Sequence, residues 1–542
     1  MAQKMLIYNA KVYLRRETFA QAVFIEGDHI LAVGTNEEIR NAAPAGSESF
    51  DAEGGLLLPG FYDSHLHLHA AGHRARMIDA SGVTSIEGLI DMGRELIRRL
   101  KPAPGTIISG AGLDPEKFTG EKRSPCREDL DKISTSCGVM ISRHCGHTIF
   151  CNSRVLEMAG IAESAPEVAG GEIGKDPGGR PNGILRENAA ALVRRVIPPP
   201  TKGELRNNLE YALDHAAAFG LSSAASYDTG GPDFHQVVEA YRDIYRERGP
   251  MPRVTLQCGV SGKEKYLDEY IEGGYITGAA LHGPYLKMGP LKLFADGTLG
   301  SQTAWLRKPY RDKPESTGVA VAEPEFLKKL IIKAHARGLQ TAIHTIGDAA
   351  LEAMLDCFEA VTSAGNNPLR HGIIHCQITD RPLLERMARN RILALVQPIF
   401  LTHDLYITES RIGPGLASTS YAWKTMEDLG VPTSYGTDCP VETINPLAGI
   451  ACALTRKDLD RNHPPEGFFP QERVDVYTAV DNYTLGSAYA NFDEKHIGRI
   501  KAGYLADMVL LDKDIFTIPP EEIPRAKALW TLVGGNMVYR RD

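Results

Sequence analysis

The chain lacks any run close to the roughly 18 consecutive apolar residues that a bilayer-crossing helix needs. It also lacks a basic block. Sixty lysines and arginines against 68 aspartates and glutamates leave a formal charge of −8 and a pI near 6.1. That balance argues against binding a phosphate backbone. No CxxC pair occurs, and the nine cysteines are scattered and odd in number, which points to reduced thiols rather than a disulfide framework. Cys137, Cys145 and Cys151 stand closest together, and ordinary packing accounts for them better than a metal does. Met1-Ala2-Gln3-Lys4 leads into strand-like residues without an apolar signal core or a cleavage site, so the expected location is cytoplasmic. Short repeats and long low-complexity linkers are missing too. What is there is 542 residues, 43% hydrophobic and 24% charged, enough for a large core without staples.

The two ends of the chain look alike. Residues 5–13 and 22–34 are short β-rich runs, the second broken at Gly27-Asp28 as in a hairpin. Residues 506–511 and 528–540 repeat that texture around a turn at Gly534-Gly535-Asn536. A small β-domain built from both termini is the expectation. The middle alternates helix and strand. Thr84-Ser85-Ile86-Glu87 reads as a capping box before a helix. Pro324 opens a second helix that stops before Gly338, and residues 339–344 follow as a buried strand. The alternation continues: helix 348–363, strand 372–376, helix 381–391, strand 392–397, helix 422–429, strand 433–437. Helices alternating with buried strands make a parallel sheet, here an α/β (β/α)8 barrel. Residues 163–183, rich in glycine and proline, read as an excursion over the barrel mouth or a flap.

His65-Leu66-His67 follows an apolar run, and in an extended segment residues i and i+2 share a face. Two imidazoles then converge as a metal requires, although a pair of solvated or core histidines fits the spacing equally well. His344, His375 and Asp438 each end a predicted strand. In a (β/α)8 barrel those ends surround the active site, and four such positions with metal-ligand side chains point together to a metal site. Lys292 sits in an otherwise apolar strand. Burial lowers the pKa of such an amine, which can then add carbon dioxide and become a bridging carbamate; a salt bridge to Asp296 is the alternative.

These residues resemble the amidohydrolase superfamily, in the family 3 branch that contains N-substituted formamide deformylases. The matching segments are 58–68 (LPGFYDSHLHL), 292–304 (KLFADGTLGSQTA), 342–350 (AIHTIGDAA), 373–377 (IIHCQ), 436–442 (GTDCPVE) and 498–514 (GRIKAGYLADMVLLDKD). The resemblance implies a TIM barrel, residues 59–496 with an insertion around 115–190, and a small β-sandwich from residues 1–58 and 497–542. It implies that His65, His67 and Asp438 hold one divalent metal, that His344 and His375 hold a second, and that carboxylated Lys292 bridges the two, with zinc the expected ion. It gives Asp438 the proton transfers and places His147 near the substrate. Two departures stand out: Leu113 takes the place of an aromatic residue between Gly112 and Asp114, and Thr437 replaces a serine before Asp438.

The expected reaction is hydrolysis of a non-peptide C–N bond, an amide or N-formyl or N-acyl amine, by metal-activated hydroxide. Asp296 is expected either to contact the small-molecule substrate or to brace the turn after Lys292. A mononuclear deaminase is the nearest alternative. It is disfavoured because the glutamate such enzymes place three residues after the strand-five histidine is Gly347 here. A catalytically silent scaffold is the other alternative. Neither nucleic acid nor a membrane is an expected partner, and a homodimer is the expected assembly.

Overall fold

A computed structural model describes residues 3–143, 147–161, 166–198, 200–362 and 365–541. They fall into two compact units, one of residues 1–70 and 209–542, the other of residues 71–208.

The larger unit is organised by eight parallel strands: β1 (Phe61–Leu66), β2 (Leu221–Thr229), β3 (Arg253–Cys258), β4 (Leu286–Phe294), β5 (Thr341–Thr345), β6 (Gly372–His375), β7 (Leu393–Val396) and β8 (Thr433–Tyr435). Each pairs with the next in sequence order. The first and last strands meet just past β8, where the Asp438 N–H donates to the His65 carbonyl and the His67 N–H to the Cys439 carbonyl, both at 2.8 Å. The ring of strands is thereby nearly closed. Strands buried on both faces read as continuous apolar runs, as in Leu393–Val396, where all four residues are buried. The intervening helices follow the predicted pattern: Pro324–His335, Asp348–Phe358, Arg381–Asn390 and Trp423–Leu429. The first opens on Pro324, carries Glu325 in its first turn and Lys333 and His335 in its last, matching the helix dipole at both ends.

Both chain ends contribute strands to the same unit. Lys4–Tyr8, Ala22–Glu26, His29–Gly34 and Glu48–Asp51 form one sheet. Lys11–Arg15, Thr18–Ala20 and Leu56–Pro59 join Met508–Leu511, Ala528–Val533 and Asn536–Arg540 in another. Leu57 pairs with Leu510 across the two ends of the chain. Ile7, Val23 and Ile25 of the first sheet share a core with Val12, Met508, Leu532 and Trp530 of the second. A buried, bidentate pair between Arg253 at the start of β3 and Asp507 (2.7 and 3.0 Å) fastens this β-region to the barrel strands.

The second unit begins well before the insertion boundary expected at residue 115. Its sheet runs in the order Gly171–Lys175, Pro181–Glu187, Thr148–Cys151, Gly138–Arg143, Ile107–Leu113, Ile78–Asp79. Helix Ile86–Leu100 packs on it through Ile86, Leu89, Ile90 and Leu96. Its N-cap is Ser85, which accepts from the Gly88 N–H, rather than Thr84 of the predicted box. Part of the glycine-rich excursion is an antiparallel hairpin of this sheet; Ser164 and its flanking residues lie outside the described set. Among the described residues the cysteines are free and no helix is long and apolar enough to cross a membrane; Cys145 lies outside that set.

Candidate metal centre

The C-terminal strand ends bring the predicted ligands together. His65 ends the inward face of β1, buried to 1% exposure. Its Nδ1–H donates to Gln257 Oε1 on β3 at 2.8 Å, and the Gln257 amide is oriented by its own N–H bond to the Ser64 carbonyl. His67 donates from Nδ1 to the Tyr227 carbonyl at 3.0 Å. In both rings the remaining Nε2 carries a lone pair. His67 Nε2 lies 2.9 Å, and His65 Nε2 3.3 Å, from one oxygen of Asp438. All three ligand atoms lie within 4.8 Å of one another. Two lone-pair nitrogens turned toward a carboxylate oxygen with no proton between them repel unless a cation joins them. The donor set therefore fits a divalent ion.

Beside this trio, Lys292 Nζ approaches His65 Nε2 at 3.4 Å. Burial drives the lysine pKa down to about 7, with Asp438 pulling it up. His375 spends Nδ1–H on Gln397 Oε1 at 2.7 Å, which leaves Nε2 free to ligate. His344 spends Nε2–H on the Gly297 carbonyl at 3.0 Å, which leaves Nδ1. The His344 and His375 rings are 4.5 Å apart, and His375 is 5.8 Å from His65. Burial, then Lys292, holds the pKa of His344 down to about 4. Burial likewise pushes His65 and His375 well below the ordinary histidine value. Neutral imidazole is the ligating form.

The backbone at the ligands is unusual. His375 and Asp438 have φ of +77° and +56°. Asp438 is held there by its neighbour. Asp63 accepts from Thr437 Oγ1–H at 2.6 Å, from the Thr437 N–H at 3.0 Å, and from the His65 N–H at 3.0 Å. The threonine that replaces the expected serine keeps this bond through the hydroxyl the two residues share.

Asp296 braces the turn after β4. Its oxygens accept from the N–H groups of Gly347, Trp305 and Ile346 at 2.7, 2.9 and 3.0 Å, which ties the turn after β4 to the end of β5. Burial raises its pKa to about 7. His147 belongs to the second unit, where it is exposed and its Nδ1 sits 3.0 Å from Glu187. Leu113 is fully buried in that unit's own core. Gln257, Gln397 and Asp63 were not singled out in the sequence. Only Asp63 carried a signal, lying two residues before His65 and so on the same face.

Comparison with known proteins adds a lineage to this geometry. A sequence profile of the amidohydrolase family matches residues 48–539. YtcJ of Bacillus subtilis, whose name places it among amidohydrolases, is 32% identical over 96% of this chain and 96% of its own. The N-substituted formamide deformylase of Arthrobacter pascens is 27% identical over 99% of this chain and 98% of its own. The crystal structure of an uncharacterized metal-dependent hydrolase from Pyrococcus furiosus superposes with a TM-score of 0.77 at 27% identity, covering 95% of this chain and all of that one.

Proposed function

The chain belongs to the amidohydrolase family, and from that premise we propose that it is a metal-dependent hydrolase of a non-peptide C–N bond, in an amide or an N-formyl or N-acyl amine. The observation that carries the reading is the convergence of His65 Nε2, His67 Nε2 and an Asp438 oxygen within 4.8 Å, with the other nitrogen of each ring already spent. His65, His67 and Asp438 would hold one divalent ion, zinc in this proposal, and His344 and His375 would hold a second. Such ions lower the pKa of water to about 7 and polarise a carbonyl oxygen.

The chain's own side chains do the rest. Asp438 takes the proton from the attacking water and returns it to the departing amine. Lys292, part neutral near pH 7 because it is buried, could add through Nζ to the carbon of carbon dioxide; the new N–C bond would form as the amine proton passed to solvent, and the resulting carbamate would offer the metal site an anionic ligand. The name of the Arthrobacter pascens relative supports N-formyl amines as the first substrates to try.

A deaminase mechanism fits the structure poorly. The glutamate it calls for would stand at residue 347, where a Cβ would lie 2.0 Å from the Trp305 carbonyl oxygen. Elemental mass spectrometry on protein grown with zinc and bicarbonate, followed by amine-release assays on N-formyl and N-acyl amines, tests the proposal. About two ions per chain and turnover are expected, both lost in His65→Asn. No bound metal after reconstitution would leave the silent-scaffold alternative standing.

A further inference from the structure

Along β4 every side chain from Met288 to Leu293 is buried, and then Phe294 is 37% exposed. It lies two residues beyond Lys292 and so shares its face. The ring centroid is 4.8 Å from Lys292 Nζ, 5.5 Å from the His344 ring and 5.8 Å from the Tyr227 ring. Tyr227, near the end of β2, meets the His67 ring edge-on at 5.6 Å. Phe400, just past β7, stacks on His375 at 5.7 Å with the planes 17° apart. Three aromatic rings, all partly open to solvent, therefore stand directly against the imidazoles that converge on the centre.

A phenyl ring left exposed among polar ligands gains nothing from water and regains free energy when an apolar group covers it. None of the three rings brings a charge, so a charged substituent laid on them would lose hydration without gaining an ion pair from the collar. We infer that the substrate carries an uncharged apolar group, aromatic by preference, next to the scissile C–N bond, and that Phe294 with Tyr227 forms the face on which it packs. The inference rests on the hydrolase reading and narrows it from amides in general to amides with an apolar flank. It makes Phe294 a specificity-determining residue that takes no part in proton transfer.

Hydroxamates share one metal-chelating head and can differ in the flank alone, so a binding ratio isolates the collar. Zinc-loaded protein, its metal content checked by elemental analysis, is titrated calorimetrically with phenylacetohydroxamate and with acetohydroxamate. Wild type is expected to bind the aryl ligand about tenfold tighter or more, and Phe294→Ala to bring the ratio to within about twofold of one. Phe294→Leu keeps an apolar face and should retain part of the preference, which guards against a folding defect in the alanine variant. Equal affinities in wild type, or a ratio that Phe294→Ala leaves unmoved, overturn the inference. So does failure of the zinc-loaded protein to bind either ligand. Turnover of N-formyl amines is scored separately. If none is cleaved while the ratio holds, the reaction assignment fails and the aromatic preference stands.

Discussion

Asp63 illustrates how one side chain can set a site through its neighbours' backbone. Its carboxylate joins β1 to the segment after β8 by accepting from the backbone and hydroxyl of Thr437 and from the His65 N–H. Asparagine has nearly the same shape, but it replaces one acceptor oxygen with a donor and turns an N–H toward donors. Asp63→Asn is therefore expected to cost about 1–3 kcal/mol in urea unfolding. It should also weaken zinc about 10–100-fold in chelator competition, because the backbone of Asp438 loses its anchor. A variant with the wild-type midpoint and full metal would show that these bonds position nothing. Lys292 makes the opposite case. Its amine is 2% exposed, and burial disfavours the charged form, so removing the nitrogen relieves a cost. Lys292→Met should leave the metal-free protein as stable as wild type or more so, while metal content falls from about two ions to about one. Two ions retained in the variant would remove the bridging role.

Among the elements, those with a strong period were legible in the sequence and those without one were not. Helices Pro324–His335 and Arg381–Asn390 lie within two residues of their predicted ends, because proline and acidic caps mark where they start and glycine or a left-handed residue marks where they stop. The strand-end histidines were legible for the same reason: His344 and His375 close short apolar runs that only a buried parallel strand explains. The second unit was harder to see. Its strands are interrupted by glycines such as Gly110 and Gly112, and it borrows Ile78–Asp79, a two-residue strand, which no period reveals. Gln257 and Gln397 escaped notice because they reach their histidines from other strands, 192 and 22 residues away. The cap of helix Ile86–Leu100 is Ser85, one residue later than the sequence pattern predicts, since Thr84 and Ser85 are both good caps and only the fold chooses between them. Hence a paired prediction: Ser85→Ala should cost about 1 kcal/mol and raise amide exchange in the first turn, whereas Thr84→Ala should change either by much less. Equal losses from both variants would mean that the threonine shares the cap.

At the scale of the whole molecule, buried imidazoles couple stability to pH. A histidine kept neutral by burial takes up its proton later than the unfolded chain does. Its contribution is complete above the ordinary value of 6.5 and is lost as pH falls toward the folded value, about 4 for His344 and about 3 for His371. His65 and His375 are shifted the same way. Asp63 and Asp296 pull against them: burial raises both to about 7, so what they contribute below the ordinary carboxylate range is lost as pH rises through 7. His215 shifts with the imidazoles, and Asp404 and Asp481 with the carboxylates, so between pH 6.5 and 4 five imidazoles oppose four carboxylates. Metal-free protein should therefore lose little stability on acidification, with a net slope of at most about 1.4 kcal/mol per pH unit. Protein loaded with zinc should start from a higher stability and fall more steeply, because protons compete with the metal for the same nitrogens. His371 provides an internal control away from the metal. Its Nδ1 accepts from the Thr341 N–H and its Nε2–H donates to His335 Nδ1 at 2.9 Å, so its share of the slope does not depend on zinc. Urea unfolding at pH 6.5 and 5, with and without EDTA, should show at most a shallow acid loss without metal and a steep one with it. Equal slopes in the two states would mean that protons do not compete with a metal for these nitrogens, and the imidazoles would then not be its ligands.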